Sequence, residues 1–380
     1  LTISGNGPME GYSSSPPWNS YSNIIKRIVI EDGITQIGAN TIGNHSYVES
    51  YYIGKDLSNL SRLFLSSKSR LKDITVSPDN EYFTTLDGIL YSKDMKTLIA
   101  VPRGNTTITS VVIPEGVTSI GDQAFYYNTN VKSVTIPEGV TSIGSAAFSN
   151  ATGLTSLVLP ESVTTIRQEA FAYCTNLRTI NLPSGVTTLG AGVFQKTTNL
   201  TSSLAIPEGI TVIPKRLFQD AASITSVTLH DNVTTIDDQA FSGALKLESI
   251  NVPNSVQTIG ASAFSNTKAL RSINIPNGIT TIQNSTFDGS GIASIELPDS
   301  VTTIGNAAFA NTANLTSIEL SESITSIGAN AFAGATGLVN IYFNSPTTKI
   351  GSNAIPKTAI VHGQNSSTAK VYANANGLVF

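Results

Sequence analysis

The sequence predicts an α/β solenoid, a right-handed coil of stacked repeats, and three observations support this fold class. Ten consecutive repeats of about 23 residues begin at Ser110 and align almost without gaps. A phenylalanine occupies the sixteenth position of every repeat, which places ten of the chain's 14 phenylalanines in one column. An isoleucine or leucine fills the eleventh position. Such columns indicate a continuous apolar interior, because stacked repeats bury equivalent side chains against each other.

Each repeat opens with an alternation of apolar and polar residues, which has the period of a β-strand. In one repeat the alternation runs from Leu154 to Leu159 and ends at Pro160, because proline cannot donate a ladder hydrogen bond. A second short extended segment follows, as at residues 140–143. We therefore expect a parallel sheet on the concave face, and short strands with helical or 3-10 turns on the other. The ten repeats begin at Ser110, Ser133, Ser156, Thr179, Ser203, Ser226, Ser249, Ser272, Ser294 and Ser317.

Both ends of the chain break the repeat, and we expect them to cap the solenoid because an end coil otherwise exposes its core. The N-terminal cap spans residues 1–26 and contains Trp18, the only tryptophan. The solenoid spans residues 27–357 with about 14 coils, one of which carries an insertion at residues 78–104. The C-terminal cap spans residues 358–380, where residues 369–375 predict a short helix.

Composition excludes several classes of partner. A net charge of −4 and a pI near 5.4 provide no basic surface for phosphate backbones, so we expect no nucleic acid. No stretch approaches the roughly 18 apolar residues that cross a bilayer, so we expect no membrane insertion in this chain. The lone cysteine, Cys174, excludes an intramolecular disulfide, and no Cys or His spacing indicates a metal or cofactor. The first residue is leucine rather than methionine, which leaves room for an export signal removed by processing.

Residue types that carry catalysis do not converge in the sequence. His45, His230 and His362 lie in different repeats, so they cannot form a triad or a metal site together. Cys174 occupies a column of alanines and threonines, which favours a packing role. Glu296 and Glu319 hold the same position in successive repeats, about 5 Å apart, a pair that could hydrolyse a glycoside. A solvated ladder of carboxylates is the commoner explanation, so we expect no catalytic residues and no enzyme.

The outward positions of the predicted sheet form the candidate binding surface. The first position is a nearly uniform ladder of serines, expected to bond to each other along the stack. The third position varies, and variation on a regular scaffold is where recognition could reside. The position before the serine ladder adds basic residues. The candidate ligand-binding residues are Arg178, Asn181, Asn251, Arg271, Asn274, Glu296, Glu319 and Tyr342.

Residues 133–148, with the sequence SVTIPEGVTSIGSAAF, closely resemble the BspA-like, or Treponema-type, leucine-rich repeat. The resemblance covers nearly the whole chain and extends to the insertion, which resembles the family's common hairpin. It implies an α/β leucine-rich-repeat solenoid in a non-catalytic protein that is extracellular or displayed on a bacterial cell surface. Because roles proposed for this family centre on adhesion, the expected ligand is a host protein, a matrix component or another bacterial surface.

Two other functions stay open at this point. A glycan-binding module is consistent with the threonines and asparagines of the sheet face and with Tyr342, although exposed aromatic residues are scarce along the ladder. A carboxylate-based hydrolase built on Glu296 and Glu319 is the third hypothesis. The glycan-binding module differs from the adhesion hypothesis in its ligand, and the hydrolase differs in turning its substrate over. Both properties can be measured.

Overall fold

The computed structural model describes residues 1–38, 41–42, 47–60 and 70–380. Within them the chain divides into two compact units, Leu1–Gly185 and Val186–Phe380, called here the first and second units. Each unit is a parallel β-solenoid in which successive repeats form successive coils. The parallel solenoid that the repeats predict is therefore confirmed in each unit. Its right-handed sense and the concavity of the sheet stay predictions.

The strands of the first unit form two sets, one that opens the repeats and one that follows the turn after the proline. Equivalent positions pair in parallel, so that Ser110 lies opposite Ser133, and Ser142 opposite Thr165. The first set, called the sheet side, contains β1 (Thr2–Ile3), β3 (Arg27–Ile30), β5 (Ser50–Ile53), β6 (Asp73–Val76), β10 (Ser110–Val112), β12 (Ser133–Thr135), β14 (Ser156–Leu157) and β16 (Thr179–Ile180). The second set contains β2 (Gly7–Met9), β4 (Ile34–Ile37), β9 (Thr97–Ala100), β11 (Ser119–Ile120), β13 (Ser142–Ile143) and β15 (Thr165–Ile166).

The second unit repeats this plan, but its sheet side is interrupted. No sheet-side strand forms in the repeats that begin at Ser249, Ser272 and Ser294; only a single bridge joins Ser226 to Ser249. The sheet-side strands are β18 (Leu204–Ala205), β20 (Val227–Thr228), β25 (Ser317–Leu320), β27 (Asn340–Phe343) and β29 (Ile360–His362). The second set contains β17 (Thr188–Leu189), β19 (Val212–Ile213), β21 (Thr235–Ile236), β22 (Thr258–Ile259), β23 (Thr281–Ile282), β24 (Thr303–Ile304), β26 (Ser326–Ile327) and β28 (Lys349–Ile350).

A hairpin occupies the insertion at residues 78–104. Its strands are β7 (Phe83–Leu86) and β8 (Ile89–Ser92), which pair antiparallel, and β8 pairs antiparallel with β9. Asp87 and Gly88 form the tip with positive φ values of 52° and 76°, the conformation that a two-residue hairpin turn requires. The hairpin thereby joins the second set of strands through β9.

Stacked phenylalanines form the core of both units. In the first unit, the ring centroids of Phe125, Phe148 and Phe171 are separated by 4.6 and 5.4 Å. In the second unit, the rings from Phe194 to Phe332 stack with separations of 5.3–5.9 Å. All of these side chains are fully buried, so the predicted apolar column is confirmed within each unit.

The helical or 3-10 turns expected around the phenylalanines are not confirmed, because these segments are successive reverse turns. Gln123 and Tyr127 have positive φ values of 60° and 55° on either side of Phe125. The N–H groups of these three residues donate to carbonyls of the next coil, at 2.7–2.9 Å. A helix would use the same N–H groups within its own coil. The alternating backbone instead turns them outward to tie one coil to the next.

Two helices are found among the described residues, one near each end of the chain. The 3-10 helix η1 (Pro17–Tyr21) holds Trp18, whose indole N–H donates to the Thr41 carbonyl at 2.9 Å. The helix α1 (Thr368–Asn376) begins at Ser367, whose side chain accepts a hydrogen bond from the Lys370 N–H, and ends at a left-handed glycine. That these segments cap the solenoid stays a prediction.

Candidate binding surface

The sheet side of each unit displays the first and third positions of its repeats. In β25, Ser317 and Glu319 are exposed whereas Ile318 and Leu320 are buried. The three residues of β10 alternate in the same way. Because successive side chains of a strand point to opposite faces, the outward positions are those that the sequence predicts.

The serine ladder bonds to itself along the stack. The Ser133 Oγ donates to the Ser110 Oγ at 2.9 Å in the first unit. The Oγ atoms of Ser203 and Ser226 lie 3.0 Å apart in the second. The predicted mutual hydrogen bonding is confirmed at these pairs. The first position therefore helps to hold the stack, and the third is the position that is free to vary.

Two of the candidate asparagines bind the backbone of the preceding coil. The Asn181 amide accepts from the Leu159 N–H at 2.7 Å and donates to the Leu159 carbonyl at 2.8 Å. Asn274 makes the same pair of bonds to Val252, at 3.0 and 2.5 Å. A carboxamide carries both a donor and an acceptor, so it can take the place of a peptide group in the ladder. These two side chains belong to the scaffold, a role that the sequence did not reveal.

The other six candidates are also exposed, and the contacts of Arg271, Glu319 and Tyr342 are specific. Arg271 donates to the Gly291 carbonyl at 3.3 Å. Glu319 accepts from the Asn344 amide at 3.0 Å. Tyr342 stacks on the His362 ring with a centroid separation of 4.4 Å. The exposed candidates are Arg178, Asn251, Arg271, Asn274, Glu296, Glu319 and Tyr342, and Asn181 is half-buried.

A polar groove of about 500 Å³ opens on the sheet side of the second unit. It lies where residues 272–275 and 294–297 form no strand. Hydroxyl, amide and carboxylate groups meet there, contributed by Ser272, Asn274, Ser294 and Glu296. We call it the polar groove. The structure thus brings two candidate residues, Asn274 and Glu296, into one concave site.

An acidic extension continues the polar groove toward β27. This second depression, of about 220 Å³, is lined by Glu296, Asp299, Glu319 and Asn344. Tyr342 lies beyond it on β27, with the stacked His362 on β29. The sequence-predicted residues Glu296, Glu319 and Tyr342 therefore share one region, whereas Arg178 and Asn181 lie in the first unit.

The sheet side of the first unit carries exposed valines at two of its third positions. Val112 and Val158 are 70% and 75% exposed at the third position of their repeats. A groove of about 400 Å³ between β12 and β14 includes Val158 in its lining. These valines were not among the candidate residues. Their signal in the sequence is an apolar residue at a position that must face outward.

Cys174 and His230, which were considered for catalysis, have structural contacts. Among them, no three His, Cys, Asp or Glu side chains come together where they could hold a metal ion. The thiol of Cys174 is buried and donates to the Phe148 carbonyl at 2.9 Å, and burial raises its pKa to about 12. His230 contacts the Pro207 carbonyl at 2.9 Å, and His45 lies outside the described residues. No helix in the described part of the chain is long and apolar enough to cross a membrane.

Comparison with known families and structures agrees with the repeat architecture. A family model described as a BspA type leucine-rich repeat region, in six copies, matches residues 19–93, 104–225, 201–313 and 258–374. Among solved structures, the chain is similar to a leucine-rich repeat protein from Bacteroides ovatus. The two share 26% identity with a TM-score of 0.52, over 87% of this chain and 76% of that chain.

Two further solved structures are similar at lower identity. A leucine-rich cell surface protein from Faecalibacterium prausnitzii shares 23% identity with a TM-score of 0.47, over 90% of this chain and 89% of that chain. The pneumococcal vaccine antigen PcpA shares 20% identity with a TM-score of 0.46, over 62% of this chain and 63% of that chain. Comparison with curated proteins gives no match.

Proposed function

The chain belongs to the BspA-type leucine-rich repeat family, and from this premise we propose that it is a non-catalytic binding protein outside a bacterial cell or on its surface. Its ligand is a host protein, a matrix component or the surface of another bacterium. The sheet side of the second unit carries the binding residues. This proposal assigns recognition to the side chains that differ between coils and stability to those that repeat.

The polar groove is the observation that carries the proposal. Where neighbouring sheet-side strands pair, as β10 with β12 and β25 with β27, their residues lie in register. At residues 272–275 and 294–297 the strands are absent and a concave surface takes their place. Concave sites with a few convergent polar groups are the usual form of a binding site. The exposed Asn251 and Glu319, from the repeats on either side, extend this surface over four coils.

A binding assay with matched variants tests this proposal. The chain is immobilised and its binding to purified matrix proteins and to epithelial cells is measured, with the double variant Asn251→Ala, Glu296→Gln beside it. We expect the double variant to bind at least ten-fold more weakly, because each lost polar contact at an interface costs about 1 kcal/mol. Gln257→Ala is the control, since Gln257 is exposed in the same repeat as Asn251 but precedes β22 on the other set of strands.

Two results would count against the proposal. Equal binding by the double variant would move recognition away from the polar groove. Equal loss in the Gln257→Ala control would show that any exposed side chain of these coils matters, and recognition would then not be local. Circular dichroism of each variant confirms that the fold is kept.

Glycan recognition by the same groove is the second candidate function. It is favoured by the amide and carboxylate groups of Asn277 and Glu296, which suit pairs of sugar hydroxyls. Saturable binding of a free oligosaccharide, lost in Glu296→Gln, would support a glycan-binding module over a protein-binding one.

Hydrolysis is the third hypothesis, and it rests on Glu296 and Glu319 alone. The acidic extension brings both side chains to one depression. A hydrolase predicts release of reducing sugar by the wild type and none by the Glu296→Gln, Glu319→Gln double variant. We expect no release from either.

A further inference from the structure

A column of aromatic and amide side chains lies in the turns of the first unit, outside both sets of strands. Tyr127, Asn150 and Tyr173 occupy the eighteenth position of three successive repeats, and their φ values are 55°, 60° and 59°. The N–H of Tyr127 donates to the Ser149 carbonyl and that of Asn150 to the Ala172 carbonyl, both at 2.9 Å. Because the three residues share one backbone conformation and register, their side chains leave the coils on the same face. We call them the tyrosine column.

The register of the coils sets the distance between the two tyrosines. The buried rings of Phe125, Phe148 and Phe171, from the same three repeats, are separated by 4.6 and 5.4 Å. Two coil steps therefore measure about 10 Å, in agreement with twice the usual strand spacing. The backbones of Tyr127 and Tyr173 recur at this separation, with Asn150 midway; the Tyr127 side chain is exposed and the Tyr173 side chain is half-buried.

Neighbouring side chains hold the first tyrosine in place. The rings of Tyr126 and Tyr127 meet edge to face, with centroids 4.6 Å apart. The Arg103 guanidinium lies 5.6 and 5.9 Å from the two ring centroids, and its burial lowers its pKa to about 10, so it stays charged at neutral pH. Cation–π contacts of a desolvated guanidinium are among the stronger ones. Tyr127 is nevertheless 48% exposed, so this ring presents a large surface that loses little freedom on binding.

We propose that the tyrosine column is a binding site for a linear β-1,4-linked glycan that runs along the stack of coils. Successive sugars in such a chain are turned over, so every second sugar presents the same face, and this repeat is about as long as two coil steps. The C–H faces of the sugars stack on Tyr127 and Tyr173, as apolar surfaces do on aromatic rings. The sugar between them meets Asn150, whose amide has used one N–H on the Ser149 Oγ at 3.1 Å and can make further hydrogen bonds.

The geometry favours this ligand over an α-1,4-linked glucan or a polyion. An α-1,4-linked glucan coils, so its alternate sugars do not present one face at this spacing. Charges around the column have both signs, since Arg103 lies against the rings and Glu169 lies near Tyr126. A neutral glycan therefore fits best. The site shares no residue with the polar groove, so each proposal can fail without the other.

Calorimetry with defined oligosaccharides tests the length and linkage of the ligand. The chain is titrated with β-1,4-linked glucose oligosaccharides of two to six sugars and with α-1,4-linked maltohexaose. We expect affinity to rise sharply from the disaccharide to the trisaccharide, because three sugars are needed to reach both tyrosines. Maltohexaose should not bind. Absence of binding by the β-linked hexasaccharide, or equal binding of both hexasaccharides, would overturn the proposal.

Tyrosine-to-asparagine variants test the residues. Asparagine tolerates left-handed backbone and is the native residue at Asn150, so Tyr127→Asn and Tyr173→Asn should keep the fold. Each variant should bind the hexasaccharide roughly five- to ten-fold more weakly, because one stacking contact is lost. In each variant the trisaccharide should bind no more tightly than the disaccharide. Tyr82→Asn is the control, because Tyr82 is also 48% exposed but precedes the hairpin strand β7.

Two outcomes of the variant series would refute the site. One is that Tyr173→Asn keeps the wild-type dependence of affinity on oligosaccharide length. The other is that the Tyr82→Asn control loses as much affinity as the Tyr127→Asn and Tyr173→Asn variants. If an asparagine variant unfolds, Tyr173→Phe keeps the ring and should retain affinity within two-fold, and a ten-fold loss in that variant would exclude stacking.

Discussion

The eighteenth position of the repeat is occupied differently in the two units. In the first unit it holds Tyr127, which is exposed, and Asn150 and Tyr173, which are half-buried. In the second unit it holds Lys196 first, and from Asp220 to Gly334 an acidic or amide residue alternates with glycine, its side chain lying over the glycine of the next coil. The Asp220 Oδ1, for example, lies where a Cβ of Gly243 would be. In the second unit the same backbone position is therefore covered at Gly243, Gly289 and Gly334 by a side chain of the preceding coil.

The sheet sides differ in a parallel way. The third position is apolar and exposed at Val112 and Val158 in the first unit, but polar or acidic at Asn251, Glu296 and Glu319 in the second. The stacked phenylalanines are alike in both. The buried phenylalanines therefore stabilise the same coil in both units, whereas the outward positions differ. A repeat protein can vary its surface in this way without losing its fold.

The largest expected effect tests whether the two cores are equivalent. Phe148→Ala and Phe241→Ala should each lower the free energy of unfolding by about 3–5 kcal/mol, because each leaves a cavity inside a stacked column. Both rings are fully buried. Urea denaturation measures the change. If the two losses of free energy of unfolding differ by more than two-fold, the two cores are not equivalent.

A smaller effect separates scaffold asparagines from displayed ones. Asn274→Ala removes both side-chain hydrogen bonds to Val252 and should cost about 1–3 kcal/mol. Asn251→Ala, at the same position of the preceding repeat, is exposed and should change stability by less than about 0.5 kcal/mol. Thermal and urea denaturation of the pair give the difference. Equal costs would mean that Asn274 does not support the ladder.

The covered position in the second unit can be tested at Gly243. Its φ of 73° is left-handed, and an added Cβ would meet the Asp220 carboxylate. Gly243→Ala should destabilise the protein by about 1–2 kcal/mol. The double variant Asp220→Ala, Gly243→Ala should recover the part due to the clash and keep the part due to φ. A double variant no more stable than Gly243→Ala would assign the whole cost to the backbone.

The smallest expected effect is the contribution of the Cys174 thiol to the pH dependence of stability. Burial raises its pKa from 9.0 to about 12, so the folded state keeps the thiol proton to higher pH than the unfolded state does. This contribution to stability is fully present below pH 9 and is lost as the pH rises from 9 toward 12. Native protein should therefore resist iodoacetamide at pH 8, as followed by mass spectrometry, and react in denaturant.

Cys174→Ala is the matched control for the pH effect. Alanine fills the same column at Ala221 and Ala244 of the second unit, so the substitution makes the first unit resemble the second. The stability of this variant should decline less between pH 9 and 12 than that of the wild type. An identical decline would assign the pH dependence to other groups.

The stacking of the repeats could be predicted from the sequence, because the buried side chains recur with the period of the repeat. The phenylalanines at every sixteenth position indicated a stacked core, and the alternation in strands such as β25 indicated which residues face outward. The outward placement of Glu296, Glu319 and Tyr342 followed from the same rule. These inferences needed only the spacing of apolar residues along the chain.

The tertiary structure alone decided what each outward residue contacts. Asn251 and Asn274 are the same residue at the same position, yet Asn274 bonds to the coil before it. The polar groove and the reverse turns around the phenylalanines were likewise absent from the expectations. The physical reason is that apolar periodicity reports burial, whereas a hydrogen bond depends on the donor–acceptor distance between coils, which repeats of equal sequence do not specify.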